Sequence, residues 1–156
     1  KKFKNIIILR TFSKSFGLPS IRLGYIISNK NIIKMMNAYR LSYESNFLTD
    51  TVAIYFLRNF KFIKNYINKV INGRNYLKKE LQKLNIKTNG GQSNYLLIRF
   101  KDSYTSKKVY DGLKKKYIYV KGNYKRPLDS CLLLTCGPKR IMSKVLFQIK
   151  IILKKI

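Results

Sequence analysis

A lysine flanked by hydroxyl side chains is the feature of this sequence best suited to chemistry. Thr11, Ser13 and Lys14 stand within four positions, and Arg22 follows eight positions after the lysine. An arginine clamps a phosphate through two parallel hydrogen bonds, and hydroxyl groups complete the shell of that phosphate. A lysine close to a second cation gives up its proton more readily, and a neutral amine forms an imine with an aldehyde. The spacing therefore predicts a phosphate-binding loop that carries a nucleophilic lysine.

Two short strands are expected to hold this loop. The apolar run within residues 4–11 predicts a buried strand, and residues 22–27 predict the strand that returns. Gly17 lies in the loop and Gly24 just after it, and we expect both to serve backbone geometry rather than chemistry. Helices are predicted over 31–40, 48–57 and 60–84. The last is about six turns long with one apolar face, enough to bridge two domains.

The remainder of the chain alternates strands and helices. Strands are predicted over 94–100, 118–121 and 131–136, with a helix over 103–116 and a last helix after Pro138. The turn residues Asn89, Gly90 and Gly91 indicate a break, near which a domain boundary is expected. This order predicts a small α+β layer with helices on one face of a sheet. Cys131 and Cys136 are expected to be free thiols, buried or half-buried.

The composition excludes several classes of protein. The chain has no histidine, which rules out Ser-His-Asp or Cys-His catalysis and a His-ligated zinc site in these 156 residues, and we expect no metal site. Its 34 Lys and Arg against 6 Asp and Glu give a net charge of +28, but the basic residues are spread over every segment. A basic nucleic-acid-binding module is therefore only an alternative. No apolar run approaches the roughly 18 residues of a membrane span.

The loop resembles the active-site lysine signature of class I/II aminotransferases, which are pyridoxal-phosphate enzymes of fold type I, and specifically those near histidinol-phosphate aminotransferase. That signature is a small hydroxyl residue, any residue, a second small hydroxyl residue, Lys, an Arg eight positions later, and then Gly. Residues 93–100, 118–121 and 131–137 also resemble segments of the family's small domain. The resemblance implies an α/β fold: the C-terminal part of the large cofactor-binding domain (1–59), an interdomain helix (60–88) and a small α+β domain (89–156).

The resemblance also implies roles for individual residues. Lys14 would form the imine with pyridoxal 5'-phosphate and then move a proton on the substrate, while Thr11, Ser13 and Arg22 would bind the cofactor phosphate. The implied reaction transfers an amino group from a small-molecule donor to a keto acceptor, either of which can be phosphorylated. A decarboxylase of a phosphorylated amino acid is the alternative within the same fold.

The family also implies a cytoplasmic homodimer with no membrane association. The chain begins Lys-Lys-Phe-Lys without a methionine. We therefore expect a fragment that is inactive alone, because the remaining cofactor-binding residues of the family have no counterpart in it.

One position departs from the family pattern. The family's strand before the final Gly usually carries an Arg that binds the substrate's α-carboxylate, and Leu133 stands at that position here. A leucine cannot bind a carboxylate. Either another cation takes over or the substrate lacks a carboxylate at this place. The candidate cations near it in the sequence are Lys121, Lys125, Arg126 and Arg140.

Overall fold

The structure is a computed structural model that describes residues 3–156, and it divides into two compact units. The first unit extends to Asn65 and the second covers Tyr66–Ile156. The first contains β1 (Ile8–Thr11), a short 3-10 helix (Pro19–Ile21), β2 (Gly24–Ile27), α1 (Lys30–Asn37), α2 (Phe47–Arg58) and the beginning of α3 (Phe60–Gln82). The second contains the rest of α3, then β3 (Lys87–Asn89), β4 (Tyr95–Arg99), α4 (Ser103–Lys114), β5 (Cys131–Thr135) and α5 (Lys139–Leu153).

In the first unit, β1 and β2 form an antiparallel pair that runs from Ile8 opposite Ile27 to Thr11 opposite Gly24. Asparagine side chains start the two helices that follow. The Asn29 side chain accepts the backbone N–H of the first turn of α1, and the Asn46 side chain does the same for α2. Such caps satisfy donors that have no partner within the helix, which explains why α1 and α2 begin just after these residues.

The predicted burial of the first strand is wrong. The strand forms, but all four residues of β1 are exposed, and the Leu9 side chain is 73% exposed. The physical reason is that, among residues 3–156, β1 pairs with β2 alone, in a two-stranded sheet. The apolar side chains of Ile6, Ile7 and Ile27 are exposed as well. The hairpin therefore presents an apolar surface within the described part of the chain.

The second unit is built on a three-stranded antiparallel sheet in the order β3, β4, β5. In β4 and β5, Leu96 pairs with Leu134 and Ile98 pairs with Leu132, and all four side chains are buried. They pack with the apolar faces of three helices into one core, whose helical members are Leu77, Leu81, Val109, Leu113, Met142, Val145, Leu146 and Ile149. Burial of these side chains is the main stabilising contribution to the unit.

None of the helices in residues 3–156 combines the length and apolar character needed to cross a bilayer.

Two details of the second unit differ from the sequence prediction. Residues 118–121 do not form a strand: only Lys121 pairs with β5, through an isolated bridge to Leu133. The chain leaves α4 through Tyr117, which has a left-handed backbone, and the N–H of Ile118 bonds back to the helix, so the beginning of this segment is turned toward α4 rather than paired with β5. The short strand β3 was not predicted, because Lys-Thr-Asn has no apolar pattern.

The Asn89-Gly90-Gly91 break lies between two paired strands. Asn89 pairs with Leu97, and Gly90 has a φ of +134°, so these residues begin the β3–β4 hairpin loop inside the second unit. The long helix α3 spans the point at which the two compact units divide. The domain bounds 1–59, 60–88 and 89–156 stay a prediction.

A close contact between backbones fixes α3 in the second unit. A Cβ atom on Gly73 would overlap the carbonyl oxygen of Gly137 and lie 2.8 Å from the backbone nitrogen of Lys139. Next to it, the buried guanidinium of Arg74 donates to the carbonyl oxygen of Ser93 at 2.7 Å. The helix therefore touches the segment that precedes β4 and the segment that follows β5.

Replacing Gly73 by alanine should destabilise the protein by about 1–3 kcal/mol, because the added methyl group meets backbone atoms that cannot rotate away. The expected result is a clear fall in the unfolding temperature of the intact protein. Gly91→Ala is the matched control, since a Cβ atom there meets nothing within 4 Å. Equal unfolding temperatures for the two variants would contradict this account of the contact.

Candidate functional site

The loop between β1 and β2 brings two of the predicted site residues into direct contact. The Thr11 hydroxyl donates to the Ser13 hydroxyl oxygen at 3.0 Å, and the Ser13 backbone N–H donates to Thr11 Oγ1 at 3.1 Å. This pair of bonds closes a tight local turn at the end of β1. Thr11 is exposed and Ser13 half-buried, so polar groups for a ligand stand at the surface of the first unit.

Lys14 follows on a turn that glycine makes possible. The backbone N–H of Gly17 donates to the carbonyl oxygen of Lys14 at 3.0 Å, and Gly17 has a φ of +69°, which side chains disfavour. Lys14 itself is exposed. At Gly24 the reason for glycine is space, because a Cβ atom would lie 2.7 Å from the carbonyl oxygen of Arg10 across the strand pair. The prediction that both glycines serve backbone geometry is confirmed.

Arg22 lies where the chain turns back toward the lysine. Its backbone is left-handed (φ 50°), and its guanidinium Nη1 donates to the carbonyl oxygen of Pro19 at 3.0 Å. The next residue, Leu23, accepts the backbone N–H of Phe12 at 3.1 Å and lies 3.5 Å from the Thr11 hydroxyl. Arg22 therefore directly precedes Leu23, whose carbonyl oxygen lies close to the Thr11 hydroxyl. Its own guanidinium bonds to Pro19, within the same turn.

Phe12 is the anchor of the loop, and the sequence prediction gave it no role. Its side chain is only 2% exposed, and its ring centre lies 4.6 Å from that of Phe16 and 5.8 Å from that of Tyr25. With its backbone bonds to Leu23 and Leu18, it fixes the residues on either side. The signal was present in the sequence: an aromatic residue between two hydroxyl residues on a strand end points to the opposite side from both.

These groups fit a phosphorylated cofactor with an aldehyde. Two hydroxyls in contact, a guanidinium at the return of the loop and a glycine turn are a donor set typical of phosphate binding. The amine on the same loop, Lys14, is the group that an aldehyde requires. The chemistry of the donors therefore agrees with pyridoxal phosphate.

In the second unit, Leu133 lies on the face of the sheet opposite the core. It pairs with Leu97 of β4, and both are half-buried, whereas their neighbours along the strands are buried in the core. Lys121 is bonded to Leu133 in both directions, through N–H to O contacts of 3.0 and 2.7 Å. Paired residues of antiparallel strands project to the same side of a sheet, so Lys121 shares the face of Leu133. Its ammonium lies 6.0 Å from the ring centre of Tyr124.

The other candidate cations have no such relation to Leu133. Arg126 lies 3.9 Å from the carboxylate of Asp129, and its side chain is 93% exposed. Lys125 and Arg140 are exposed on the loop before β5 and at the start of α5. Of the four candidate cations, Lys121 is therefore the one whose backbone bonds to Leu133, the residue that stands where the family usually has an arginine.

The two cysteines are buried free thiols, as the sequence predicted. Burial raises the pKa of the Cys136 thiol to about 11, against a smaller lowering by the Arg74 guanidinium. Burial also raises the pKa of the Tyr124 phenol, and Cys131 adds to this rise. Because thiolate is the reactive form of cysteine, Cys136 is an inert packing residue at neutral pH.

Comparison with solved structures defines the class to which this fold belongs. Histidinol-phosphate aminotransferase from Sinorhizobium meliloti, in complex with pyridoxal-5'-phosphate, superposes with a TM-score of 0.81 at 20% identity, over 99% of this chain and 42% of that one. L-threonine-O-3-phosphate decarboxylase from Porphyromonas gingivalis superposes with a TM-score of 0.76 at 19% identity, over 99% of this chain and 48% of that one. The predicted α/β fold of the fold-type I transferases is confirmed.

The sequence places the chain within that class more narrowly. The family described as aminotransferase class I and II matches residues 1–146. Histidinol-phosphate aminotransferase of Thermoanaerobacter pseudethanolicus is 38% identical over 121 residues, which is 77% of this chain and 33% of that protein. The chain therefore belongs to the class I and II aminotransferase family, and it spans about a third of the length of that relative.

Proposed function

We propose that the protein containing this chain is a pyridoxal-phosphate-dependent aminotransferase of the histidinol-phosphate-aminotransferase type. The observation that carries the proposal is the loop on which Thr11 and Ser13 contact each other, Lys14 follows at the surface, and Arg22 begins the return. Membership of the family supports the same function. The small-molecule partners are an amino donor and a keto acceptor, either of which can carry a phosphate.

Each residue of the loop has a distinct task in this proposal. Pyridoxal phosphate supplies an aldehyde that takes up amino groups and a ring that accepts electrons from the substrate's α-carbon. Thr11 and Ser13 would hold the cofactor phosphate through their hydroxyl groups, and Arg22 would neutralise its charge. Lys14 would hold the aldehyde end through Nζ, and the same Nζ would take up and return the proton at the substrate's α-carbon.

The assembly and the location of the protein are further parts of the proposal. We infer a homodimer in the cytoplasm, with 1–59 in the large domain, 60–88 as the interdomain helix and 89–156 as the small domain. The exposed apolar side chains of β1 and β2 support an assembly in which this hairpin is covered. On this proposal, the 156-residue chain by itself does not transfer amino groups, because its loop supplies only part of a cofactor site.

Decarboxylation of a phosphorylated amino acid is the second candidate. The observation that supports it is the superposition of a phosphothreonine decarboxylase on 99% of this chain. Leu133 does not separate it from amino transfer, because a decarboxylase also has to bind the carboxylate of its substrate. The fold does not separate the two reactions, because an aminotransferase and a decarboxylase both superpose on this chain. The difference lies in which bond to the α-carbon breaks.

One assay on the intact protein separates the two reactions. The protein is incubated with histidinol phosphate or phosphothreonine, with 2-oxoglutarate as the amino acceptor, and both glutamate and carbon dioxide are measured. We expect glutamate to form with histidinol phosphate and no carbon dioxide to form from phosphothreonine. Carbon dioxide without glutamate would replace the aminotransferase proposal by the decarboxylase. If neither glutamate nor carbon dioxide forms, the result contradicts both proposals.

A further inference from the structure

A cavity of about 530 Å³ lies at one end of the second unit, where β3 begins and β4 ends. Its apolar walls include Ile86, Phe100 and Leu153, and every residue that lines it falls within residues 84–156. The volume is within the range of small-molecule sites, roughly 300–1,000 Å³. The loop of Lys14 belongs to the other unit, so this cavity is separate from the lysine site in the chain.

Three cations line the same cavity: Lys87, Arg99 and Lys101. Lys87 and Arg99 are direct partners in the β3–β4 pairing, so their side chains leave the sheet on the same side. Like charges directly opposite each other on neighbouring strands are unfavourable. An anion between these two side chains would remove that repulsion.

The carboxylates of this unit form no ion pair within 4 Å of these cations. Asp102 follows Lys101 in the chain, and its pKa is lowered by the hydrogen bonds from Thr105 and, less strongly, by the charge of Lys101. The Asp102 carboxylate accepts the backbone N–H of Thr105 at 2.7 Å and so caps α4. The remaining acidic residues of the unit lie within 4 Å of cations other than these three, and they are Glu80, Asp111 and Asp129. Within the described residues, the three lining cations therefore have no ion pair with a carboxylate.

We propose that this cavity binds a small amphipathic anion, with a short apolar body and a single carboxylate or phosphate head. The apolar body of the ligand lies against Ile86, Phe100 and Leu153, where it is no longer in contact with water. The head binds Arg99, whose guanidinium forms two parallel hydrogen bonds to either kind of oxyanion, and Lys87 adds a second positive charge. The site needs both halves of the ligand, because the walls are apolar and the charged side chains that line them are all positive.

Titration calorimetry on the intact protein tests whether binding needs both the apolar body and the anionic head of the ligand. The probes are decanoate, decyl phosphate, decanol and inorganic phosphate, each at the same ionic strength. We expect at least one of the two amphipathic anions to bind about tenfold or more tightly than both decanol and inorganic phosphate, because a charge-assisted hydrogen bond and the apolar contact each contribute. The tighter of the two anions identifies the head group. Decanol binding as tightly as both anions, or no heat from either anion at millimolar concentration, would overturn the proposal.

A pair of double variants ties the binding to this cavity. Lys87→Gln with Arg99→Gln removes the two paired charges and should weaken anion binding about tenfold or more. Lys114→Gln with Lys115→Gln removes the same net charge from exposed positions at the end of α4 and should leave binding unchanged. Unfolding temperatures near that of the wild type show that both variants fold. Equal weakening in the two variants would show a general charge effect and contradict the site. Because the readout is binding, its outcome is independent of the amino-transfer proposal.

Discussion

Lys14→Ala should lower the kcat of the intact protein by about 10⁴-fold or more, the largest effect that we expect from any single substitution in this chain. The reason is that the Nζ of Lys14 has two tasks in the proposed reaction, holding the aldehyde and moving the proton. No other group on the loop replaces it: the hydroxyls of Thr11 and Ser13 already contact each other and are far weaker bases at neutral pH.

The same variant should still bind the cofactor, because the phosphate contacts of Thr11, Ser13 and Arg22 remain. Borohydride reduction of the wild type makes the bond between the lysine and the cofactor permanent, and peptide mapping should find the label on Lys14. Lys34→Ala is the matched control, since Lys34 is an exposed lysine on α1 of the same unit, and its activity should equal that of the wild type. A label on any other lysine would refute the assignment of Lys14.

Leu133→Arg should raise kcat/KM for glutamate by about 10- to 100-fold, because a hydrogen-bonded arginine–carboxylate pair contributes about 1.5–3 kcal/mol. Leu133 is half-buried on the open face of the sheet, so an arginine there projects on the same side as Lys121. Activity on a phosphorylated ketone, which has no carboxylate, should change much less. The wild type should turn over simple 2-oxo acids, 2-oxoglutarate included, slowly but measurably.

Leu133→Met is the control for size without charge, and it should leave both activities near those of the wild type. Lys121 is the cation that we propose for the donor carboxylate in the natural protein, because it is bonded to Leu133 in both directions. Lys121→Met should therefore raise the KM for glutamate. If the wild type already handles ordinary 2-oxo acids efficiently and Leu133→Arg changes nothing, the inference from this position is wrong.

The elements of this fold were predicted well where apolar side chains repeat along the chain. The apolar spacing of α3 and α5, and the continuous apolar run of β5, determine structure locally, and all three elements are present close to the predicted bounds. The strand β3 was missed because its three residues pair through backbone groups alone. Residues 118–121 were wrongly predicted as a strand, because the apolar side chains that suggested one lie in a segment whose first N–H bonds to α4.

The candidate site shows a similar division. Residue types and spacing predicted which side chains belong to the loop, because a strand, a glycine turn and a returning strand leave few alternatives. They did not predict that Phe12 anchors the loop, or that Arg22 has a left-handed backbone and bonds to Pro19. These features depend on packing and on turn geometry, which one residue's type does not determine. The position of Lys121 beside Leu133 required the structure for the same reason, since the bridge joins residues twelve apart.

Because Lys121 and Leu133 are bonded to each other in both directions, a charge on this face of the sheet can be carried at either position. The backbone bonds hold the two residues side by side whatever side chains they carry, because both contacts use only N–H and carbonyl groups. A cation lost from one position is therefore restored by a single substitution at the other, with no rearrangement of the strand. On the role proposed for Lys121, substrate preference should follow the residues at 121 and 133 taken together, and neither residue alone should predict it.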